Sequence, residues 1–136
     1  MPGVRFNALV VAAVLLVVGG HSGAALAGEE FPFGLEMTLD APPQPGSKRL
    51  PNLEIGDRGE VRLELWCKGG TGQFSVAGNT IIFVAGAMEN RACSPAQVQA
   101  DDALLTQLSE ATTWARRGDY VSFIGPMTLR FHLNTN

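Results

Sequence analysis

The stretch LWCKGGTGQFSVAGNTIIFVAGAMENRAC, residues 65–93, decides the fold because it begins and ends near the two cysteines of the chain, Cys67 and Cys93. Between the cysteines lie two β-type runs, residues 73–76 and 80–84, separated by Ala-Gly-Asn. Glycine and asparagine tolerate positive φ at a tight turn, so the stretch predicts a β-hairpin. The second run is apolar throughout, and we expect it to lie centrally in a sheet.

Three glycines, Gly69, Gly70 and Gly72, precede this hairpin. Glycine-rich loops bind phosphate where a helix begins directly after them. No helical pattern follows these glycines within reach, so a dinucleotide site or a P-loop lacks its structural condition. We interpret the glycines as a turn or a β-bulge, with an anion site as the alternative.

The first 27 residues have the three parts of a secretory signal peptide. Arg5 is followed by the uncharged apolar run 8–18 and by small residues that end in Ala25-Leu26-Ala27. The run is shorter than the roughly 20 residues that a membrane-spanning helix needs. We therefore expect cleavage after Ala27, no membrane span in the mature chain, and no lipid anchor, because no cysteine stands at the cleavage site. The expected location is the periplasm or the outside of the cell.

If the protein is exported, its two cysteines predict a disulfide. In an oxidising compartment, Cys67 and Cys93 are expected to form a disulfide. Closing a loop of this size stabilises a fold by about 3.5 kcal/mol in the chain-entropy model. The alternative is a redox-active or nucleophilic thiol, which would want a C-x-x-C motif or a histidine partner, and the sequence offers neither.

The charge balance excludes one class of function. The chain has 10 Lys and Arg against 13 Asp and Glu, a net charge of −3, and a mildly acidic chain is not built to coat nucleic acid. The basic pairs Lys48-Arg49 and Arg116-Arg117 are interpreted as solvated turn residues rather than as a binding patch. We expect a single domain and a monomer.

Period-two alternation predicts strands on both sides of a proline-rich segment. Leu35, Met37 and Leu39 indicate a first strand with one buried face, and residues 41–52 form a surface loop because prolines interrupt them. A later strand has two faces: the apolar face holds Val61, Leu63, Leu65 and Cys67, and the opposite face holds Arg62, Glu64 and Trp66. This parity predicts a buried disulfide and an outward-facing Trp66.

One helix is predicted after Cys93. Ser94 is its N-cap, Pro95 occupies the first helical position and Gln97 completes a capping box. The apolar stripe that should pack on the sheet consists of Val98, Leu104, Leu105, Leu108 and Ala111. We place Asp101 and Asp102 on the solvated side. Adjacent helical residues do not face one another, so this pair is not expected to act as a catalytic dyad.

Three β-type runs end the chain at residues 112–116, 120–124 and 127–133, with turns at Arg-Gly-Asp and Gly-Pro. His132 alternates with the apolar residues of the last run and is predicted to face outward. A single histidine makes neither a metal site nor a triad, so we expect no metal, no cofactor and no catalytic residue.

Four motifs together resemble the META domain, also called the HslJ-like family. They are the cysteine and glycines of residues 67–72, the hairpin of residues 73–79 in the pattern G-x-F-x-V-x-G-N, the Met-to-Pro entry into the helix at residues 88–95, and the W-x-x-x-G-x-x-V-x-F ending at residues 114–123. The resemblance covers roughly residues 50–133. The family's Gly-Cys-Asn triplet corresponds to Trp66-Cys67-Lys68 here, so the roles of its glycine and asparagine are not carried over.

The resemblance implies an α+β fold, a small partly open antiparallel β-barrel (a cracked barrel) with one packed α-helix. Residues 53–136 would form this domain, after a first strand and proline-rich loop at 28–52 and the signal peptide at 1–27. Family members are envelope or secreted proteins, some linked to heat shock, antibiotic resistance or virulence-related secretion. No common enzymatic chemistry is established for them.

Three classes of function follow. The favoured one is a non-enzymatic exported domain that supports envelope integrity or stress tolerance through a surface or groove, with an envelope protein as its partner. The second is a binding module for a small apolar ligand such as a lipid tail, held between helix and sheet by Phe83, Leu104, Leu105, Leu108 and Phe131. For a domain this small, the favoured interpretation of these five residues is that they fill the core. The third is an enzyme whose site is assembled from residues distant in sequence.

Overall fold

The computed structural model of the chain describes residue 3 and residues 30–135. Except for residue 3, the predicted signal peptide lies outside the described residues. Within the part that is described, no helix has both the length and the apolar character needed to cross a membrane.

Eight strands and one helix make up the described part of the chain. In order they are β1 (Leu35–Leu39), β2 (Asn52–Ile55), β3 (Glu60–Glu64), β4 (Gly69–Ala77), β5 (Thr80–Met88), α1 (Pro95–Glu110), β6 (Thr113–Arg117), β7 (Tyr120–Ile124) and β8 (Thr128–Leu133). Each strand pairs antiparallel with the next, and β8 pairs with β1. The barrel with one helix agrees with the predicted α+β class. The strand before the proline-rich loop is part of the same barrel as the later strands.

The barrel is closed, so the prediction of a partly open barrel was wrong. Its seam between β5 and β6 is nevertheless short, with Thr80 opposite Thr113 as the one registered pair. Two backbone bonds flank that pair: Ile81 N–H donates to Thr112 at 3.0 Å, and Trp114 N–H donates to Asn79 at 3.0 Å. The pairing of β5 with β6 extends no further, because the two antiparallel strands both begin at this pair and run away from each other. Helix α1 packs against β5.

A second correction concerns β5, whose alternate side chains point to the outside of the barrel. We expected residues 80–84 to lie centrally in the sheet, but Ile82 and Val84 are each 60 % exposed. Ile81 and Phe83 point into the core, while the alternate side chains point outward from a strand that has only β4 along most of its length. A continuous apolar run was therefore not a sign of burial on both faces.

The predicted hairpin is confirmed. Strands β4 and β5 are joined at Gly78, whose φ of +58° suits glycine. The three glycines lie inside β4, and the register shifts between Gly70 and Gly72 because two steps along β4 oppose three steps along β5, from Ala85 to Met88. The interpretation as a turn or a β-bulge is therefore confirmed only as an irregularity at this place, with the extra residue on β5. A Cβ atom on Gly72 would lie 2.7 Å from the ring of Phe83, so the strand approaches that ring too closely for a side chain.

Aromatic side chains fill the barrel interior. Phe74 packs on Phe123 with ring centroids 5.2 Å apart, and Phe123 packs edge-on against Phe131 at 5.6 Å. Phe31, which precedes β1, packs its ring against Phe74 at 5.6 Å and against Trp114 at 5.3 Å. The segment before the first strand thus contributes to the core.

The helix begins as predicted. The Ser94 side chain accepts from the Gln97 N–H, and the Gln97 side chain accepts from the Ser94 N–H, so the capping box is complete. Leu104 and Leu108 are buried against the barrel. Asp101, however, is only 1 % exposed, so its predicted place on the solvated face was wrong. Asp102 is exposed, as predicted.

Two predictions at the end of β3 were also wrong. The strand ends at Glu64, and a turn bond of 2.8 Å from Leu65 N–H to the Lys68 carbonyl follows. The turn breaks the strand parity, so Trp66 is buried at 6 % exposure and Cys67 is only half-buried. The sulfurs of Cys67 and Cys93 are 2.06 Å apart, in the predicted disulfide.

Candidate functional site

Residues 65–68, here called the cysteine loop, are bound by the buried Asp101 of the helix. Its carboxylate accepts from the Cys67 N–H at 3.2 Å and from the Lys68 N–H at 2.8 Å. Hydrogen bonds to a charged acceptor contribute more than neutral ones, about 1.5–3 kcal/mol each. One buried side chain therefore joins the helix to the loop between β3 and β4.

The carbonyl oxygens of the cysteine loop are bound from two other segments. Arg49 donates to the Leu65 carbonyl at 3.3 Å and to the Cys67 carbonyl at 2.7 Å, and Arg91 donates to the Cys67 carbonyl at 3.2 Å. Ser47 donates to the Trp66 carbonyl at 2.9 Å. Arg49 is exposed, as predicted, but its guanidinium also binds the cysteine loop, which was not predicted.

Glu64 supports both arginines from the end of β3. Its carboxylate lies 3.1 Å from Arg91 and 3.2 Å from Arg49. The hydrogen bond from Arg91, reinforced by the charges of Arg91 and Arg49, holds the pKa of Glu64 below its ordinary value, and partial burial opposes this. The same bond raises the pKa of Arg91.

The disulfide adds a covalent link at the same place. Cys93 precedes the N-cap Ser94, so the Cys67–Cys93 bond ties the cysteine loop to the start of the helix. Asp101 holds the loop from two turns further along α1. The proline-rich loop, the cysteine loop and α1 are thus fixed to one another.

These three segments surround a groove, here called the helix groove, with a volume of about 280 Å³. Ala103 and Leu104 of α1 form one side, and Trp66 of the cysteine loop and Leu129 of β8 form apolar parts of the other. Ala103 is exposed, and the other three side chains are mostly buried. The groove is wide enough to admit part of a ligand or a partner side chain.

An ion pair forms the polar rim of the helix groove. Arg130 Nε donates to Asp40 Oδ2 at 2.7 Å, and both side chains line the groove. The Arg130 side chain is 57 % exposed and that of Asp40 is 40 % exposed. An exposed pair of this kind adds little to stability, and either member can exchange its partner for a charged group of a bound molecule.

The structure does not bring the five proposed ligand-binding residues together around this groove. Leu104 lines it, but Phe83, Leu108 and Phe131 lie in the core, 3 %, 0 % and 0 % exposed. Leu105 is half-buried and packs against the core. His132 is exposed, as predicted, with its ring 4.9 Å from that of Tyr120.

Sequence reasoning missed Asp101, although a signal was present. Asp101 follows Val98 by three positions and precedes Leu104 by three, so it lies on the apolar stripe of the helix. A charged residue at such a position implies a buried partner. Arg49 and Trp66 had no comparable signal, because their contacts join segments 16 or more residues apart.

The described residues contain no group of three histidine, cysteine, aspartate or glutamate side chains placed to hold a metal ion. The lowered pKa of Glu64 is caused by its contact with Arg91 beside the cysteine loop. The chemistry visible around the helix groove is apolar contact combined with the polar side chains of Gln44, Gln107 and Thr128 and with the ion pair of its rim.

Comparison with protein-family models matches residues 33–131 to the META domain. The match covers most of the chain and the whole barrel except the last residues of β8, so the chain belongs to the META domain family. It begins before β1 and so takes in the proline-rich loop. No curated protein and no solved structure was found to match the chain.

Proposed function

We propose that this META-domain protein is exported and non-enzymatic, and that it supports envelope integrity or stress tolerance by binding an envelope partner in the helix groove. The observation that carries the proposal is the groove itself, a cleft that combines apolar and polar side chains and has a charged rim. Three segments that form it are fixed by Asp101, the two arginines and the disulfide. A binding surface held rigid in this way loses little conformational entropy when a partner binds.

The disulfide supports the exported location. Structural disulfides persist in the periplasm and outside the cell and are rare in a reducing cytosol. In this chain the disulfide lies beside the groove, so an oxidising compartment would help to keep the binding surface in place. The N-terminal segment, with its charged start, apolar run and Ala-Leu-Ala end, supports the same location.

A complementation experiment tests the role of the groove. In a host that carries the gene, a deletion strain is challenged with detergent and with heat, and survival is compared after restoring wild type, Ala103→Trp or Ala96→Trp. Ala103 lines the groove and is exposed, so tryptophan there fills the groove. Ala96 is exposed on the same helix and does not line it.

We expect wild type and Ala96→Trp to restore survival and Ala103→Trp to fail at equal protein level. Full rescue by Ala103→Trp would contradict a role for the groove. A deletion strain that survives both challenges as well as its parent would contradict the role in envelope integrity.

A second candidate function is binding of a small apolar ligand, such as the end of a lipid tail, in the same groove. The specific observation in its favour is the apolar wall formed by Trp66, Leu104 and Leu129. The volume of about 280 Å³ lies near the lower end of ligand-binding pockets, which span about 300–1,000 Å³. The groove would therefore hold only part of a chain lipid.

Thermal unfolding with added dodecanoate tests this second candidate. We expect the midpoint to rise for wild type and Ala96→Trp and to stay unchanged for Ala103→Trp, because a ligand that binds only the folded state stabilises it. The absence of a shift in wild type, together with native mass spectra free of lipid adducts, would leave the protein-partner proposal alone.

A further inference from the structure

A second concave surface lies on the outer wall of the barrel, away from the cysteine loop. The strand register places Ala115 of β6, Ser122 of β7 and Arg130 of β8 in one row across three strands. The neighbouring row contains Arg117 and Tyr120. These five side chains line a depression of about 260 Å³, here called the arginine depression.

The shape of the arginine depression follows from residue size. Ala115 and Ser122 are short, while the side chains of Arg117, Tyr120 and Arg130 rise around them. Outward-facing neighbours on adjacent strands lie about 5 Å apart, so two short residues side by side leave a hollow between the longer ones. All but the half-buried Ser122 are exposed.

Arg130 is held in place at the edge of the depression. Its Nε donates to Asp40 at 2.7 Å, and its guanidinium carbon lies 4.7 Å from the centre of the Tyr120 ring. The Tyr120 ring in turn contacts the His132 ring at 4.9 Å. A guanidinium has five N–H donors, and the bonds to Asp40 use only its Nε and Nη2.

Arg117 and Ser122 supply further polar groups that have no partner within residues 30–135. Neither side chain makes a hydrogen bond there, and Arg117 makes no ion pair, whereas the adjacent Arg116 donates to the Glu30 and Gly118 carbonyls. Among the described residues, the depression thus presents one guanidinium without a partner, one partly used guanidinium and one hydroxyl without a partner.

From this arrangement we propose that the arginine depression binds a carboxylate attached to a small flat group. Guanidinium groups match carboxylate and phosphate in geometry. The charge of the depression favours a carboxylate over a phosphate. Asp40 compensates the charge of Arg130, so about one net positive charge, that of Arg117, remains, and it matches a monoanion rather than a dianion. Tyr120, which is 42 % exposed, provides aromatic surface against which a flat apolar group packs.

The test is a titration of uniformly ¹⁵N-labelled mature protein with benzoate, followed by amide chemical shifts. We expect saturable shifts confined to β6, β7 and β8, no saturable shift with neutral benzamide, and weaker binding of inorganic phosphate than of benzoate. An acetylated phenylalanine and its amide then distinguish a free small acid from the carboxyl terminus of a peptide as the source of the carboxylate.

Three variants locate the binding. Arg117→Gln should weaken benzoate binding about tenfold or more, the loss of one charge-assisted contact. Ala115→Leu should abolish it by filling the hollow without changing charge. Arg62→Gln, an exposed arginine on β3, changes the net charge equally and should leave binding unchanged.

The proposal is overturned if benzoate gives no saturable shifts, if benzamide or phosphate binds as well as benzoate, or if Arg117→Gln and Ala115→Leu bind like wild type. This outcome is separate from the fate of the proposed function, because Ala103→Trp blocks the helix groove and none of the three variants alters a residue that lines it.

Discussion

Replacement of Asp101 by asparagine removes the charge of a buried side chain that accepts from two backbone amides. Asparagine keeps one oxygen acceptor and turns an NH₂ group towards the other amide, so either the Cys67 N–H or the Lys68 N–H loses its partner. A hydrogen bond to a charged group contributes about 1.5–3 kcal/mol, and a buried donor left unsatisfied costs about 1–3 kcal/mol. We expect Asp101→Asn to lower the free energy of unfolding by about 2–4 kcal/mol.

The assay is equilibrium unfolding in urea, with the fluorescence of the two tryptophans, Trp66 and Trp114, and far-UV circular dichroism as probes. With a slope of about 1–3 kcal/mol per molar urea for a small domain, the midpoint should fall by about 1–2 M. Asp102→Asn is the matched control, since Asp102 is adjacent, carries the same charge and is exposed. Its free energy of unfolding should stay within about 0.5 kcal/mol of wild type.

Equal stabilities of the two variants, with the disulfide intact in both, would refute the reasoning that Asp101 fastens the cysteine loop to α1. A double-mutant cycle with Cys67→Ser and Cys93→Ser sharpens the test. Because the disulfide and Asp101 hold the same loop, their effects should be non-additive by about 0.5 kcal/mol or more.

Three further predictions concern stability. Cys67→Ser with Cys93→Ser should cost about 3.5 kcal/mol in urea unfolding, because the disulfide closes a separation of 26 residues, and a loss below about 1 kcal/mol would contradict this. The lowered pKa of Glu64 means that its contribution is present above its ordinary pKa of 4.5 and is lost as the pH falls through the folded value. Urea midpoints measured against pH should therefore decline less steeply in acid for Glu64→Gln than for wild type, and identical profiles would count against the ion pair; the effect is modest because solvent screens these exposed groups. Gly59→Ala should unfold the protein or destabilise it by more than Gly118→Ala, as judged by thermal unfolding, because a Cβ at Gly59 would lie 2.1 Å from the Phe74 carbonyl oxygen while Gly118, also at positive φ, faces open space.

Much of the fold could be predicted from local patterns. The hairpin follows from Gly-Asn between two β-type runs, and the start of the helix follows from Ser94, Pro95 and Gln97. These features depend on residues within a few positions of one another, and turn and cap chemistry is therefore visible in the sequence. The disulfide was predictable because each cysteine had only one possible partner within the chain.

The closed seam and the site could not be predicted in the same way. One registered pair, Thr80 with Thr113, closes the barrel, and the helix lies between those residues in the sequence. Burial of Trp66 depends on a turn that ends β3 early, and the role of Arg49 depends on carbonyl groups 16 and 18 residues away. Such contacts arise from the tertiary fold, whereas strand parity assumes that a strand continues.

The measurement that tests the account most directly is the intact mass of the protein in the envelope fraction and in the cytosolic fraction of its host, each with and without reductant. If the protein is exported and its disulfide is formed, we expect a chain of residues 28–136 in the envelope fraction, lighter by two hydrogens before reduction than after it. A chain that retains residues 1–27, remains in the cytosol and gains no hydrogens on reduction would contradict both the export and the role of the disulfide.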